Sequence, residues 1–494
     1  MGFGMQKLFG YAFLLAFTSS VQSSVEQHFN EIRQDPNALY AFLKEMPKGG
    51  ELHYHLAGGA YPETMIELAA KQDYCLNPQS FGINKISEAC NGIKSNQILS
   101  NPELYDKLVR AWSMKDFIAG KESGHDHFFA TFFKFTNLIM DNHIPLLAEV
   151  MQRASEQQEE YMEIMMMPDY AKSTVVSEKP DLAQGFEKAR KLLLDDPAFV
   201  QEISNTVKVS DQLLPDTRKF LGCDSKPEQS VCHLTVKFQY HILREQPLQS
   251  FFMQALHGFA AASQSEAIVA INMVQAEDGI ISLRDYKKQM EVIDFLHQQY
   301  PQVHIALHAG ELKAEDVMPK ELRFHIRDAV LTGHAERIGH GLDIGFEDKA
   351  NDTQNYMKTH QIPVEINLTS NEKIFNIKGK EHPVHYYLKQ GVPLVLSTDD
   401  EGILRTDLTR QYVKAVIEHD IDYQTLKQMT RNVLTYAFLP GKSIWVDPAR
   451  QTLVTECADL NSAGCNSFVN GNQKASLQRK LELRLAAFEK RFDN

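Results

Sequence analysis

Positive charge is scarce in this 494-residue sequence and nowhere clustered. The chain has 51 Lys and Arg against 64 Asp and Glu, so its formal net charge is −13, and no stretch collects five or more basic residues. Nucleic acids bind to clustered positive charge, so we expect no nucleic-acid partner. Internal repeats and low-complexity tracts are also missing. The balance of 43% apolar and 23% charged residues excludes disordered, collagen-like and coiled-coil chains.

Three further features are missing, and each excludes a class of protein. The sequence has no C-x-x-C pair, which excludes a thiolate zinc site. It has no glycine-rich phosphate loop after its first candidate strand, which disfavours a doubly wound open sheet. Beyond the N-terminus it has no run of 18 apolar residues, so we expect no membrane-spanning helix in the mature chain. What remains is an ordinary globular composition, with 43% apolar and 23% charged residues.

The N-terminus has the pattern of a secretory signal. Lys7 precedes an apolar run at residues 8–17, and Val21 and Ser23 form a small-x-small cleavage pattern. We therefore predict a signal peptide over residues 1–23 and a secreted or periplasmic protein. A buried N-terminal helix is the alternative. The mature part, residues 24–494, is predicted to be one domain.

The cysteines are consistent with an exported protein. They fall into three neighbouring pairs, Cys75 with Cys90, Cys223 with Cys232, and Cys457 with Cys465. An even number of cysteines in an exported chain favours disulfides, and pairing between neighbours is the simplest connectivity. Buried free thiols are the alternative.

Eight apolar, β-branched segments predict an α/β fold with a parallel sheet. Most are separated by stretches long enough for a helix; they lie at residues 51–56, 161–167, 235–243, 267–274, 303–311, 337–341, 363–371 and 393–400. Eight such units indicate a TIM-like (β/α)8 barrel, with the doubly wound open sheet as the competing fold. Residues 73–125 and 169–234 depart from a minimal barrel. We interpret them as helical and disulfide-bearing insertions.

Polar side chains at the ends of these segments predict a metal site. His53 and His55 are two residues apart on the first strand, so both imidazoles point to the same face. A pair of core histidines is the alternative for them. Further polar residues follow later strands, namely His308, Glu311, His340, Asp399 and Asp400. The C-terminal ends of barrel strands form the active-site mouth, so we expect these groups to converge there. Imidazole and carboxylate ligands suit zinc better than calcium or magnesium.

Five motifs resemble those of the adenosine deaminase family, within the metal-dependent amidohydrolases. They are MPKGGELHYHL, HAGE, RIGHG, NLTSN and STDDEG, and the resemblance extends from about residue 46 to residue 439. The signal-like N-terminus, the MPKG prefix, the early insertion with its cysteines and the extra length are more similar to the extracellular adenosine deaminase growth factor type than to the short cytosolic type.

The resemblance implies an activity and a role for each site residue. His53, His55, His308 and Asp399 would bind one Zn²⁺ per chain. Glu311 would protonate the purine ring at N1, His340 would orient the attacking hydroxide, and Asp400 would contact N7. The implied reaction converts adenosine, and 2′-deoxyadenosine, to the inosine form and ammonia. The implied partner is a small purine nucleoside, and the resemblance also allows the homodimer known in the family.

Two departures from the family pattern concern the substrate. Ala57 stands where many members have an acid for the ribose hydroxyls, and Gln275 stands where a glycine amide usually meets purine N3. We assign Gln275 and Asp400 to substrate binding. Trp112 and Phe117 occupy the segment where the family often has a hydrophobic lid, and we assign them to substrate binding as well. Core packing is the alternative for both aromatic residues.

Three other functions are alternatives to adenosine deamination. Ala57 leaves open another 6-aminopurine, such as adenine, AMP or a modified adenosine. A two-metal amidohydrolase would need a bridging carboxylated lysine on the fourth strand, and residues 267–274 contain none. An additional receptor-binding role of the insertion at 73–125 is the third alternative.

Overall fold

The computed structural model describes residues 23–170 and 172–493. The predicted signal peptide therefore lies outside the described residues except for Ser23. This serine is the N-cap of the first helix and forms a capping box with Glu26. In the described ranges no helix combines the length and the apolar character that crossing a membrane requires.

The strands of the described residues are β1 (Lys48–His55), β2 (Tyr74–Leu76), β3 (Ile83–Lys85), β4 (Ile93–Lys94), β5 (Glu159–Met166), β6 (Thr235–Leu243), β7 (Ile268–Val274), β8 (His304–Ala309), β9 (Arg337–His340), β10 (Val364–Ile366), β11 (Leu394–Leu396), β12 (Trp445–Asp447) and β13 (Thr452–Leu453).

The helices are α1 (Ser24–Ile32), α2 (Pro36–Glu45), α3 (Leu56–Gly59), α4 (Pro62–Ala70), α5 (Pro102–Ala111), α6 (Gly124–Asp141), α7 (His143–Glu156), α8 (Phe186–Leu194), α9 (Pro197–Phe220), α10 (Leu248–Ala262), α11 (Ile280–Gln299), α12 (His325–Leu331), α13 (Ala350–Thr359), α14 (Leu368–Phe375), α15 (Val384–Gln390), α16 (Glu401–Leu404), α17 (Leu408–His419), α18 (Tyr423–Tyr436), α19 (Ala463–Val469) and α20 (Gln473–Glu489).

Eight parallel strands form the barrel. Their order is β1-β5-β6-β7-β8-β9-β10-β11, so each strand pairs with the next barrel strand along the chain. The ring closes between β1 and the segment after β11, where the Asp399 amide donates to the His53 carbonyl and the His55 amide donates to the Asp399 carbonyl. The TIM-like barrel predicted from the sequence is confirmed, and each of the eight predicted segments overlaps a barrel strand.

The barrel strands are apolar because helices cover their outer faces. The helix α10, between β6 and β7, is buried without interruption from Phe251 to Ala261. Such complete burial is typical of parallel sheets with helices packed on them. Several predicted segments run past their strands, and the largest difference is at 363–371, which leaves the strand after Ile366, with α14 beginning at Leu368. The turn into that helix places the last residues of the NLTSN motif beside the strand ends.

Each of the three predicted cysteine pairs forms a disulfide. Cys75–Cys90 holds a three-stranded antiparallel sheet, β3-β2-β4, within residues 73–125. Cys223–Cys232 closes the loop after α9, within residues 169–234. Cys457–Cys465 links the segment after β13 to α19. The first of these insertions reaches the barrel mouth, because β3 packs against α6.

Candidate active site

Side chains from four barrel strands meet at the C-terminal mouth. His53 and His55 end β1, His308 lies on β8, His340 ends β9, and Asp399 follows β11. His340 and Asp399 have left-handed backbone conformations, with φ of 67° and 68°. Left-handed backbone costs free energy for residues other than glycine and is concentrated at functional sites. The chain bends sharply at these two positions and turns both side chains inward.

Four of these side chains surround a common point. The ligand atoms of His53, His55, His308 and Asp399 all lie within 4.8 Å of one another. His55 Nε2 is 3.2 Å from His308 Nε2 and 3.3 Å from Asp399 Oδ1. His53 Nε2 is 3.5 Å from the same carboxylate oxygen. Three imidazole nitrogens and one carboxylate oxygen form the donor set of a four-ligand site for a transition metal.

The hydrogen bonds of the histidines support a metal at this point. His53 Nδ1 donates to Glu365 Oε2 at 2.8 Å, and His308 Nδ1 donates to Asn272 Oδ1 at 2.9 Å. A proton on Nδ1 leaves the lone pair of Nε2 free to bind a cation. His53 Nε2 is buried and has no hydrogen-bond partner among the described residues. The donor set therefore fits a bound metal ion.

A buried ionic network supports this cluster from inside the barrel. Arg337 donates to Glu365 Oε1 from Nε and to Glu163 Oε2 from a terminal nitrogen, both at 2.6 Å. Burial alone would raise the pKa of Glu365, but Arg337 and His53 hold it below its ordinary value. The charged carboxylate of Glu365 thus orients the His53 ring and raises its basicity.

We expect Glu365→Gln to weaken metal binding by about 10- to 100-fold, which is the usual cost of losing such a supporting group. The amide keeps the shape of the side chain but removes the charge that faces His53 Nδ1. Metal affinity measured by competition with a chromogenic chelator checks this. Glu163→Gln is the matched control, because it removes charge beside the same Arg337 without touching a metal ligand. Equal losses in the two variants would contradict a specific role of Glu365.

Glu311 is held beside the cluster by the loop after β8. Glu277 accepts hydrogen bonds from the amides of Gly310 and Glu311 at 3.1 and 2.8 Å. Burial alone would raise the pKa of Glu277, but Arg244 and His325 lower it to about 2. Burial, and then the charges of Asp399 and Glu277, raise the pKa of Glu311 well above its ordinary value. Glu311 is therefore suited to carry a proton into the site.

His340 is a neutral imidazole with a defined orientation. Burial lowers its pKa to about 3. The Asn371 side-chain amide donates to His340 Nδ1 at 3.0 Å, so the ring proton is on Nε2. Nε2 lies 3.5 Å from Glu311 Oε1 and 3.7 Å from Asp399 Oδ2. The sequence motif contained Asn371, but its role became visible only with the turn into α14.

Asp400 lies beside Asp399 and points into the same cavity. Burial and the neighbouring charge of Asp399 raise its pKa well above the ordinary value, and its Oδ1 has no hydrogen-bond partner among the described residues. A Cβ at Gly58 would lie only 1.7 Å from that oxygen. The close approach of Asp400 thus requires a glycine at position 58.

A cavity of about 850 Å³ opens from the cluster to the surface. Glu311, His340, Asp399 and Asp400 line its buried end. Gln275 lines it too, with φ of 83°, a region that glycine adopts more easily. The Gln275 side chain accepts a hydrogen bond from the Glu245 amide, which turns it toward the neighbouring strand end.

The structure does not bring Trp112 and Phe117 to this cavity, so our assignment of them to substrate binding is corrected. Trp112 is fully buried, donates its indole N–H to the Phe81 carbonyl and packs against Phe135. Phe117 packs in the same apolar cluster. Both aromatic residues anchor the first insertion to α6. The aromatic wall of the cavity comes instead from α6 itself, which includes Phe128, Phe129, Phe132 and Phe133.

Three histidines in the cavity wall were not predicted, namely His125, His143 and His241, and the last two are neutral. His143 begins α7 and His241 lies on β6, and burial lowers their pKa values to about 4 and about 3. Nδ1 of each is buried without a hydrogen-bond partner among the described residues. The alternating pattern of β6 turns His241 inward, and this was a usable signal. The sequence gives no comparable signal for His143, because its position in the wall depends on how α7 packs.

Comparison with known proteins agrees with this site. The adenosine deaminase family model matches residues 102–444, which is more than half of the chain. The matched range includes Glu311, His340 and Asp399 and begins after His53 and His55.

Individual relatives are similar either over a short part of the chain or at low sequence identity. An adenosine deaminase of Klebsiella pneumoniae (strain 342) is 34% identical over 137 residues, 28% of this chain and 38% of that protein. The aligned part of the chain thus spans about two fifths of that relative. An aminodeoxyfutalosine deaminase of Streptomyces coelicolor is 23% identical over 413 residues, 83% of this chain and 84% of that protein.

The fold has a counterpart among solved structures. The crystal structure of an adenine deaminase from Arthrobacter aurescens superposes with a TM-score of 0.51 at 16% identity, covering 80% of this chain and 94% of that one. At this identity the likeness concerns the fold alone, and the family is shown by the match over residues 102–444. The chain belongs to the adenosine deaminase family.

Proposed function

We propose that the protein is a zinc-dependent enzyme that hydrolyses adenosine, and 2′-deoxyadenosine, to the inosine form and ammonia. One observation carries this proposal: the three-histidine and one-aspartate cluster lies directly beside Glu311 and His340. Their presence supports proton transfer at a bound substrate.

His53, His55, His308 and Asp399 would hold one Zn²⁺. Zinc is favoured because its sites commonly combine imidazole and carboxylate ligands and keep a position open in enzymes. Zinc in such a site would supply a Lewis acid that lowers the pKa of a water molecule to about 7.

The other side chains of the site divide the remaining steps. Glu311 would give a proton to purine N1, which makes C6 electrophilic. His340, with its proton on Nε2, would orient the attacking water and stabilise developing negative charge. Asp400 would donate a hydrogen bond to N7. The water oxygen bonds to C6, one water proton passes to the amino nitrogen, and the bond from C6 to that nitrogen breaks as ammonia leaves. The other water proton replaces the one that Glu311 gave to N1.

A second 6-aminopurine substrate is supported by the relatives and by Ala57. The similar proteins are named as deaminases of adenine, adenosine and aminodeoxyfutalosine. Ala57 lines the cavity and has no side chain that could bind a hydroxyl group. Adenine, AMP or a modified adenosine are therefore the alternatives to adenosine.

We also propose that the protein acts after export, as a secreted or periplasmic enzyme. The three disulfides support this, because disulfides persist in oxidising compartments and are rare in the cytosol. N-terminal sequencing of the exported protein tests cleavage after Ser23, and an intact residue 1 would contradict it.

The test of the activity uses residues 24–494 with their disulfides intact. Chelator-treated protein should lose deamination of adenosine, followed by the fall in ultraviolet absorbance as inosine forms. Zinc should restore it, whereas magnesium, which prefers oxygen ligands, should not. Adenine, AMP and cytidine are assayed beside adenosine and 2′-deoxyadenosine. Full turnover by protein shown to be metal-free would contradict the proposal.

A further inference from the structure

The active-site cavity is larger than a purine nucleoside requires. Its volume is about 850 Å³. At the packing density of about 0.75 found in protein interiors, a nucleoside of roughly 200 Å³ fills about 270 Å³. More than half of the cavity is therefore left for groups attached to the nucleoside.

The extra space lies on the sugar side of the bound purine. The reacting carbon must lie at the buried end of the cavity, beside Glu311 and Asp399. The purine amino group and N9 are on opposite edges of the ring system, so a sugar on N9 points away from that end. Phe133, which is 85% exposed, marks the opposite end at the surface. A substituent on the sugar would extend toward Phe133.

The outer part of the cavity is apolar and largely aromatic. The helix α6 contributes Phe128, Phe129, Phe132 and Phe133 to the lining, and the disulfide-held sheet contributes Ile83. The ring centroids of Phe128 lie 5.1 Å from Phe129 and 5.3 Å from Phe132, so the rings form a continuous surface. Apolar groups gain free energy by leaving water for such a surface.

The lining offers no free positive charge to a phosphate. None of the described residues that line the cavity is a lysine or an arginine. Burial lowers the pKa of His125, but hydrogen bonds to Asp278 and Asp126 raise it to about 9. Its charge is already paired, because Nε2 lies 3.0 Å from Asp278 Oδ1. Glu245 adds a further acid to the lining, which disfavours an anionic ligand.

We propose that the preferred substrate is a 6-aminopurine nucleoside whose 5′ carbon bears an uncharged apolar substituent, in preference to adenosine or a 5′-nucleotide. This inference rests on the proposed deaminase function. The 5′ carbon is the part of the sugar that reaches farthest from the purine, so its substituent would contact the α6 rings. Ala57 agrees with this, because it offers a 5′-hydroxyl no hydrogen-bond partner.

The test compares substrates on the zinc-loaded, disulfide-intact chain. The values of kcat/KM are measured for adenosine, AMP, and the 5′-deoxy-5′-methylthio, -propylthio and -butylthio analogues of adenosine. Each added methylene should raise kcat/KM by roughly two- to fourfold, mainly through a lower KM. AMP should fall at least about 100-fold below the best thioether, because its charge would be buried without a partner.

Variants of the aromatic wall test the cause of the preference. Phe132→Ala should reduce the butylthio-to-adenosine ratio of kcat/KM by about fivefold or more, and Phe132→Leu should retain most of it. Phe133→Ser should also reduce the ratio, and its exposed position makes a folding defect unexpected. Phe220→Ala is the matched control, since Phe220 is 62% exposed on α9 and does not line the cavity.

The outcomes separate this inference from the function on which it rests. Deamination of adenosine with equal or lower kcat/KM for every thioether would overturn the inference and leave the proposed function standing. AMP turnover equal to that of the thioethers would overturn it as well. Failure of the zinc-loaded protein on all of these 6-aminopurines would overturn both.

Discussion

Replacement of Glu311 by glutamine should lower deamination of adenosine by between about 10² and 10⁴-fold. The amide has nearly the same shape, but it cannot deliver the proton that makes purine C6 electrophilic. Burial and the charge of Asp399 keep the carboxyl group of Glu311 protonated, and the variant removes this acid. The loss should appear in kcat with KM little changed, because the interaction develops on the way to the transition state.

The control for this variant is a second buried acid. Burial raises the pKa of Glu347 to about 7, but its carboxylate accepts the amides of Ile326 and Arg327 and does not line the cavity. Glu347→Gln should keep most of the activity. Zinc content of Glu311→Gln, measured by elemental analysis, should equal that of the wild type. Turnover of Glu311→Gln within threefold of the wild type would remove Glu311 from the reaction.

The barrel and the positions of the polar residues were predictable because they follow from the two-residue period of strands and from the order of the segments along the chain. A two-residue spacing on a strand places His53 and His55 on one face, whatever the rest of the chain does. Polar residues at the ends of apolar segments must meet once eight parallel strands close into a ring. The prediction of where His308, His340 and Asp399 lie therefore needed no knowledge of packing angles.

The walls of the cavity were not predictable in the same way. Trp112 and Phe117 lie in the expected segment, but Trp112 bonds to the Phe81 carbonyl and Phe117 packs on His127, while other residues of α6 line the cavity. The angle at which α6 crosses the barrel mouth decides which of its phenylalanine-rich faces turns toward the cavity. That angle is set by contacts with β3 and α14, which are distant in sequence.

The ionic network beside the histidine and aspartate cluster left a signal in the sequence. Glu163 and Glu365 each interrupt an apolar strand, and Arg337 begins a third strand. A charged residue buried inside a parallel strand either has a partner of opposite charge or lowers the stability of the fold by a large amount. Their side chains are fully buried, and Arg337 pairs with both carboxylates.

Removal of the arginine from this network should have the largest effect on stability. We expect Arg337→Met to reduce the free energy of unfolding by about 3–5 kcal/mol, because it leaves two buried carboxylates without a counter-ion. The deficit should be greatest at alkaline pH. It should shrink as the pH falls, because Arg337 no longer holds down the pKa of Glu365, and protonation of that carboxyl group removes one unpaired charge.

Urea unfolding of chelator-treated protein measures this deficit without a contribution from bound zinc. Arg405→Met is the matched control, since Arg405 also pairs with a glutamate and also lies over an aromatic ring, that of Tyr61. That pair is about a quarter to a third exposed, so its loss should cost no more than about 1 kcal/mol. Arg337→Met combined with Glu163→Gln should recover part of the lost stability, because one unpaired charge is then absent. A double variant as unstable as Arg337→Met alone would mean that packing of Arg337 on Phe438, 3.9 Å from the ring centroid, stabilises the barrel more than its charge does.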